Sequence, residues 1–308
     1  MSLFSVGVDL GGTKIRVALM DETGKLLHDE ERPTLANRGP RPIISDIVTM
    51  VMTASNHVTG GEVIGVGVGC PGPLNSKAGV VLSPPNLPGW DNVPLRQELN
   101  EALGLPVHLD NDANVAGLAE HRYGAGQGTT DMVYFTVSTG IGGAAVVDGR
   151  LVQGGIGAAA EFGHMIVDIH GPECRCGNRG CLEAIASGTA IALRGTQDYG
   201  KQVTAEEVAS FAASGDERAL CILNEAFYAL GIGVVNVINA FDPQIVVIGG
   251  GVSQIGDSLF RVVREVAAAQ SFRDKSQPVP IVPAKLHRDS GVIGAAAIPF
   301  AKLGPTEV

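Results

Sequence analysis

Apolar and polar positions alternate from residue 4 to residue 9 (Phe-Ser-Val-Gly-Val-Asp), which predicts a strand. Leu10-Gly11-Gly12-Thr13-Lys14 follows, then a second apolar run from Ile15 to Met20, the turn Asp21-Glu22-Thr23-Gly24 and a third short strand. The same order returns later. Met132 to Val137 reads as a strand, Ser138-Thr139-Gly140-Ile141-Gly142-Gly143 as a Gly-rich tip, and Ala144 to Val147 as a return strand. Asp148-Gly149 then turns the chain into a short strand at Leu151-Val152. Two copies of one strand pattern in one chain predict a duplicated domain.

Between the two copies the period changes. Ile43, Ile44, Ile47, Val48 and Val51 are spaced for one helix face within residues 42–58. Val63 to Gly69 reads as an apolar strand ending in Cys70-Pro71-Gly72-Pro73, a rigid turn. Leu95 to Leu103 reads as a helix with Pro94 at its start and Gly104 past its end. Val107 to Leu109 is a strand that delivers Asp110-Asn111-Asp112-Ala113-Asn114 to the start of the next helix. Strands alternating with helices predict a parallel or mixed sheet covered on both faces, with ligands at the carboxyl ends of strands, where Asp9, Gly72 and Asp112 fall.

Further on the chain is mostly helical. Thr204 and Glu207 have the spacing of a capping box for a helix through Ala213. A long apolar-striped helix is expected from about Glu217 to Asn239, stopping before Pro243. Ile245 to Ile248 reads as a buried strand feeding Gly249-Gly250-Gly251-Val252, and a last helix is expected near Val292 to Leu303. The expected division is a first α/β lobe over residues 1–110, completed by a C-terminal helix at 291–308, and a larger second lobe over 111–290.

Composition narrows the classes. With 308 residues, 45% hydrophobic and 18% charged, a packed core in two domains is expected. A net charge of −10 argues against a general nucleic-acid or membrane-surface binder. The first strand begins by residue 4, so no signal peptide is expected, and no apolar run is read as membrane-spanning. A reduced, cytoplasmic setting follows as the expectation.

The first Gly-rich tip lies between strands, unlike a P-loop or a dinucleotide fingerprint. It still offers backbone N–H groups, the Thr13 hydroxyl and the Lys14 cation to a phosphate, with Asp9 placed to reach a metal ion through water. Taken alone it also reads as an ordinary hairpin turn. Two such loops are more informative, because a nucleotide held between lobes needs donors from both.

Cys174-Arg175-Cys176-Gly177-Asn178-Arg179-Gly180-Cys181 holds three of the five cysteines. Gly177 and Gly180 allow tight turns that aim three sulfurs at one point. With His164 as the fourth ligand, the set suits a closed, structural Zn²⁺ site; a redox or merely buried cluster is the alternative. Such a metal would pin a loop flanked by Glu161 and Glu183. Those two carboxylates and His164 are candidate binders of sugar hydroxyls, since directional polar groups discriminate hydroxyls as an apolar pocket does not; taken alone, each also reads as a structural polar group. Asp112, beside Asn111, is the candidate general base toward a hydroxyl attacking a γ-phosphorus, with a simple helix N-cap as the alternative.

These motifs together resemble the ROK family of sugar kinases and repressors, within the actin/hexokinase/Hsp70-like ATPase superfamily. The matching stretches are Asp9 to Lys14, Asn111 to Asn114, Ser138 to Gly143, Glu161 to His164 and Cys174 to Glu183, in the family order. The resemblance implies a two-lobed α/β ATPase fold with a duplicated mixed-sheet domain and an interlobe cleft. It implies Asp112 as base, Zn²⁺ on His164, Cys174, Cys176 and Cys181, and sugar contacts from Asn86, Asn111, Glu161, His164 and Glu183. MgATP would be held by Asp9, Gly11, Gly12, Thr13, Lys14, Thr139 and Gly140, with Gly250 and Gly251 near the adenosine. Ser83-Pro84-Pro85-Asn86-Leu87-Pro88-Gly89-Trp90 looks most like the family's bacterial glucokinases, and Ala144 departs from a third Gly common in the second loop. The expected activity is phosphorylation of glucose at its 6-hydroxyl, in a homodimer or homotetramer. Kinases for N-acetylmannosamine, N-acetylglucosamine, fructose or mannose are the nearest alternatives. A sugar-sensing repressor is disfavoured, because the first strand leaves no DNA-binding module ahead of it. A chaperone-like ATPase is disfavoured too, since it has no use for paired sugar-binding carboxylates.

Overall fold

A computed structural model describes residues 1–303, which fall into two compact units. The first comprises Met1–Gln127, Leu151–Ala159 and the chain from Arg288; the second comprises Gly128–Arg150 and Ala160–His287.

In the first unit β1 (Ser2–Leu10), β2 (Lys14–Asp21) and β3 (Leu26–Pro33) form an antiparallel meander. Helix α1 (Pro40–Ser55) carries the chain over to β4 (Gly61–Cys70), which pairs in parallel with β1. A two-residue pair, β5 (Leu74–Asn75) and β6 (Val80–Val81), precedes α2 (Leu95–Leu103). Then β7 (Val107–Asn111) adds in parallel to β4 and runs directly into α3 (Asp112–Tyr123). The sheet order is β3-β2-β1-β4-β7. Pro lies in the first turn of α1, and Gly104 ends α2 at φ 64°, a left-handed value that suits glycine.

The second unit repeats this order as β10-β9-β8-β11-β12. Its strands are β8 (Met132–Val137), β9 (Ile141–Val147), β10 (Arg150–Leu151), β11 (Ile245–Gly249) and β12 (Ile281–Pro283). β8 and β9 are antiparallel, and β11 is parallel to both β8 and β12. Between β10 and β11 lie α4 (Leu182–Ala186), α5 (Gly188–Tyr199), α6 (Ala205–Ala213) and α7 (Glu217–Phe241). Helix α8 (Asp257–Gln270) precedes β12, and α9 (Ser290–Lys302) closes the described chain in the first unit. The Thr204–Glu207 capping box forms in both directions, as its spacing predicts.

Several elements are not singled out by the sequence reading: α4, α5, β5, β6 and the three-residue β12 are too short or too weakly periodic to be seen. Helix α7 is, by length and composition, apolar enough to cross a membrane; two-thirds of its most apolar window is buried, which makes it the core helix of its unit. Asn224 and Glu225 interrupt its apolar residues, so the sequence shows no unbroken run.

Helix α9 packs on β1 and β4 backbone to backbone. A Cβ at Gly7 or Gly67 would run into the carbonyls of Val292 and Ala295, and Ser5 Oγ donates to Ala296 O at 2.5 Å. Helix α3, which the sequence reading placed in the second lobe, lies against α9 in the first unit, where a Cβ at Gly294 would meet Val115. Of the expected C-terminal helix, residues 304–308 lie outside the described chain.

Candidate active site

In the first unit, β1, β4 and β7 are adjacent and parallel, so their carboxyl ends meet. Asp9 pairs with Gly69, and Cys70 with Asn111. This register gathers Asp9, Cys70, Asn111 and Asp112 at one sheet edge. Burial pushes the Asp9 carboxyl above its ordinary value, against the pull of Arg16 and Lys14. Burial likewise pushes the Cys70 thiol up, with Asp112 and Asp9 adding to it, so Cys70 is an inert neighbour at neutral pH.

The start of α3 separates two roles. Asn111 is the N-cap: its Oδ1 accepts from the Ala113 N–H at 2.9 Å. Asp112 is therefore not the cap but the first residue inside the helix, with its Oδ1 2.8 Å from the same N–H. A residue that sequence reasoning left without a role holds this corner. Asp110 is buried and accepts from the Asn111 N–H (2.8 Å), from Asn114 Nδ2 (2.8 Å) and from Gln153 Nε2. Its density of polar neighbours is visible in the sequence; its bond to Gln153 is not.

The first Gly-rich tip closes through Gly11 N–H to Lys14 O at 2.9 Å, and Thr34 holds it by two further bonds, to Gly11 O and Thr13 O. The N–H groups of Gly12 and Thr13 have no intramolecular acceptor among the described residues. Lys14 is directed elsewhere, with its Nζ 2.9 Å from Glu31 across the β2–β3 pair. Gly12 packs against the Asn86 backbone, where a Cβ would stand 2.6 Å from Asn86 O. Asn86 itself is exposed, while Trp90 of the same loop is buried.

In the second unit, Gly250 and Gly251 lie beside Val137 and Ser138, which lead into the Thr139–Gly140 tip. Gly250, at φ 86°, lies so close to Val137 that a Cβ would strike the Val137 backbone, and Gly251 lies near Ser138. Glu183 reaches the same tip: its Oε2 accepts from the Ile141 N–H at 2.8 Å. Glu161 sits in a tight turn, at φ −70° and ψ 58°, between Ala160 (φ 64°) and a 3-10 turn at Phe162–His164. Partial burial pushes the Glu161 carboxyl up, His164 draws it down and Glu183 raises it again.

The four expected metal ligands converge. One donor atom each from His164, Cys174, Cys176 and Cys181 lies within 4.8 Å of the others. Cys174 Sγ is 3.7 Å from His164 Nδ1, and Cys176 Sγ is 3.7 Å from Cys181 Sγ. A tetrahedron with metal–sulfur bonds of about 2.3 Å has edges of about 3.8 Å, so the donor set fits a tetrahedral ion. Gly177 (φ 94°) and Gly180 (φ 75°) make the turns, and a Cβ at Gly180 would strike the Asp168 carbonyl. The Asn178 backbone N–H draws the Cys176 thiol down, while burial pushes Cys181 up to about 12.

The ROK family model matches residues 5–301. The chain is 39% identical to a glucokinase of Thermotoga maritima, over 97% of this chain and 98% of that one. It superposes on a ROK hexokinase from Thermus thermophilus with a TM-score of 0.90 and 36% identity, covering 97% of this chain and 99% of the other. It superposes on a ROK glucokinase from Streptomyces griseus, solved with glucose and AMPPNP, with a TM-score of 0.79 and 32% identity over 96% and 98% of the two chains. With its motifs in family order on a duplicated sheet of hexokinase-like ATPase topology, the chain belongs to the ROK family.

Proposed function

We propose that this protein is an ATP-dependent glucokinase, transferring the γ-phosphoryl group of MgATP to the 6-hydroxyl of glucose. The observation that carries the reading is the start of α3. Asn111 is the N-cap there, and Asp112, the first residue inside the helix, stands directly at the carboxyl end of β7. Asp112 accepts the proton of the attacking hydroxyl. The free N–H groups of Gly12 and Thr13, and the Thr139–Gly140 tip, bind phosphates; Gly250 and Gly251 approach the adenosine. Asp9 is the carboxylate that would reach the nucleotide's Mg²⁺, through water. Lys14 contributes to phosphate binding by releasing Glu31.

Glu161, Glu183, His164, Asn86 and Asn111 hold the sugar hydroxyls. Asn111 uses its carbonyl oxygen as the cap, which leaves its amide N–H₂ to donate. His164, Cys174, Cys176 and Cys181 would hold a structural Zn²⁺, which would fix the loop that carries Glu161 and Glu183. His164 presents Nδ1 to the thiols, so Nε2 is the edge it offers to substrate. The protein works in the cytoplasm as a homodimer or homotetramer.

The direct test is ADP release over a panel of sugars. Glucose should lead, with mannose tolerated and N-acetylmannosamine poor, because an acetamido group would have to enter where a hydroxyl is bound. A hydroxyl-binding group left unpaired costs about 1–3 kcal/mol, about tenfold to a hundredfold in kcat/KM. Faster turnover of fructose or N-acetylmannosamine than of glucose, at equal low concentration, would keep the kinase class and remove glucose as the substrate.

A further inference from the structure

The second Gly-rich tip is held from one side by the start of α5. The Ser138 carbonyl accepts from the Gly188 N–H at 2.7 Å. The Thr139 carbonyl accepts from the Thr189 N–H at 3.3 Å and from Thr189 Oγ1 at 2.7 Å. Gly188 and Thr189 are the first two residues of α5, whose N–H groups have no partner within the helix. Ser187 satisfies the next two, through its side chain to Ala190 and its carbonyl to Ile191. The loop carbonyls thus complete the N-terminus of α5.

This arrangement dictates where the loop's own donors point. In a trans peptide the C=O and the following N–H point in opposite directions. With the Ser138 and Thr139 carbonyls turned toward α5, the Thr139 and Gly140 N–H groups are turned away from it. The two flanking N–H groups are consumed inside the unit: Ser138 N–H bonds Gly140 O at 2.8 Å, and Ile141 N–H bonds Glu183 Oε2. Thr139 and Gly140 are left as a pair of adjacent donors without an acceptor among the described residues. A Cβ at Gly140 would run into Glu183 Oε2.

Resting on the phosphate-binding role proposed above, we infer that Glu183 and Thr189 are positioning residues for the nucleotide, fixing the direction of the Thr139 and Gly140 N–H groups. Glu183 has so far been assigned to the sugar alone. Its Oε2 is committed to the loop, which leaves Oε1 as the oxygen available to a hydroxyl. It stands two residues after Cys181, so the cysteine loop bears on the nucleotide through the same side chain.

The test is calorimetric titration of Mg²⁺·AMPPNP with sugar absent, a readout that a purely sugar-binding Glu183 would leave unchanged. Glu183→Ala strips the Ile141 N–H of its acceptor, and the affinity should fall about tenfold or more. Glu183→Gln keeps an oxygen acceptor and should stay within about threefold of wild type, since a neutral acceptor is weaker than a charged one. Thr189→Val removes the hydroxyl bond to Thr139 O and should cost about threefold. Should Glu183→Ala fail to fold, Thr189→Val carries the test, as it touches neither the cysteines nor the sugar residues. Wild-type affinity in folded Glu183→Ala and Thr189→Val would overturn the inference while leaving the kinase reading intact. Wild-type protein that binds no AMPPNP would overturn both.

Discussion

Asp9 Oδ2 lies against the first turn of α9, where a Cβ added at Gly291 would stand 2.5 Å from it. The N-terminus of a helix favours an anion, which opposes the burial that pushes the Asp9 carboxyl up. Gly291→Ala should displace that carboxylate. Overpacking of this kind costs about 1–3 kcal/mol. With Asp9 acting on Mg²⁺, the variant should need about tenfold more Mg²⁺ for half-maximal rate, that is, about 1.4 kcal/mol of lost metal interaction. A Mg²⁺ titration of the initial rate measures this. An unchanged Mg²⁺ requirement would reduce Asp9 to a structural neighbour of the helix.

Asp112→Asn keeps the size of the side chain and its acceptor for the Ala113 N–H, but cannot take a proton. Its kcat should fall about 10²-fold or more, with sugar affinity within a few-fold of wild type. Steady-state kinetics beside a sugar-binding measurement separates the two. Near-normal kcat would move the base elsewhere.

Protein purified without added metal should carry one Zn²⁺ per chain, read by elemental analysis. Binding to a site absent in the unfolded chain contributes to folding, so Cys176→Ala should lose both the metal and thermal stability of the second unit. Its activity should fall with them. Stoichiometric absence of zinc in active wild-type protein would show that the cluster orders its loop unaided.

Arg16, almost fully buried, holds Asp29 through Nε (2.8 Å) and Nη2 (2.6 Å), and reaches Asp289 with Nη1 at 2.6 Å. The Arg16 hydrogen bond is the chief cause that lowers the Asp29 carboxyl below its ordinary 3.8, with burial opposing it. A lowered folded-state pKa contributes stability above the unfolded value, and that contribution is lost as pH falls through the lower one. Asp29→Asn should therefore melt below wild type at pH 7, by about 1 kcal/mol given the solvent access of Asp29. The gap should begin to close below about pH 3.8 and narrow further as pH falls toward the lower, folded-state value. Melting curves from pH 3 to 7 test it; a gap independent of pH would mean that the ion pair does not set it.

Much of this molecule is determined by local pattern. Alternation along residues 4–9 and the short apolar run from Met132 to Val137 are both strand signals, each followed by a Gly-rich tip and a return strand, and the duplicated sheet follows from that recurrence. Gly104 and the Thr204–Glu207 pair end and begin helices through bonds only a few residues long, so their chemistry is readable in the chain itself. The Cys174-to-Cys181 loop is likewise local, and its sulfurs converge as its glycines predict.

What only the tertiary structure decided are relationships between residues far apart in the chain. Gly7 and Gly67 look like flaws in their strands until α9 presses its backbone onto them. Gln153 becomes a partner of Asp110 only because residues 151–159 return to the first unit. Glu183 reads as a sugar ligand from its motif, yet one of its oxygens belongs to Ile141, 42 positions earlier. Periodicity records which face of an element is buried. It does not record which backbone N–H, across the fold, a given carboxylate will meet, because that depends on packing that no window of the sequence contains.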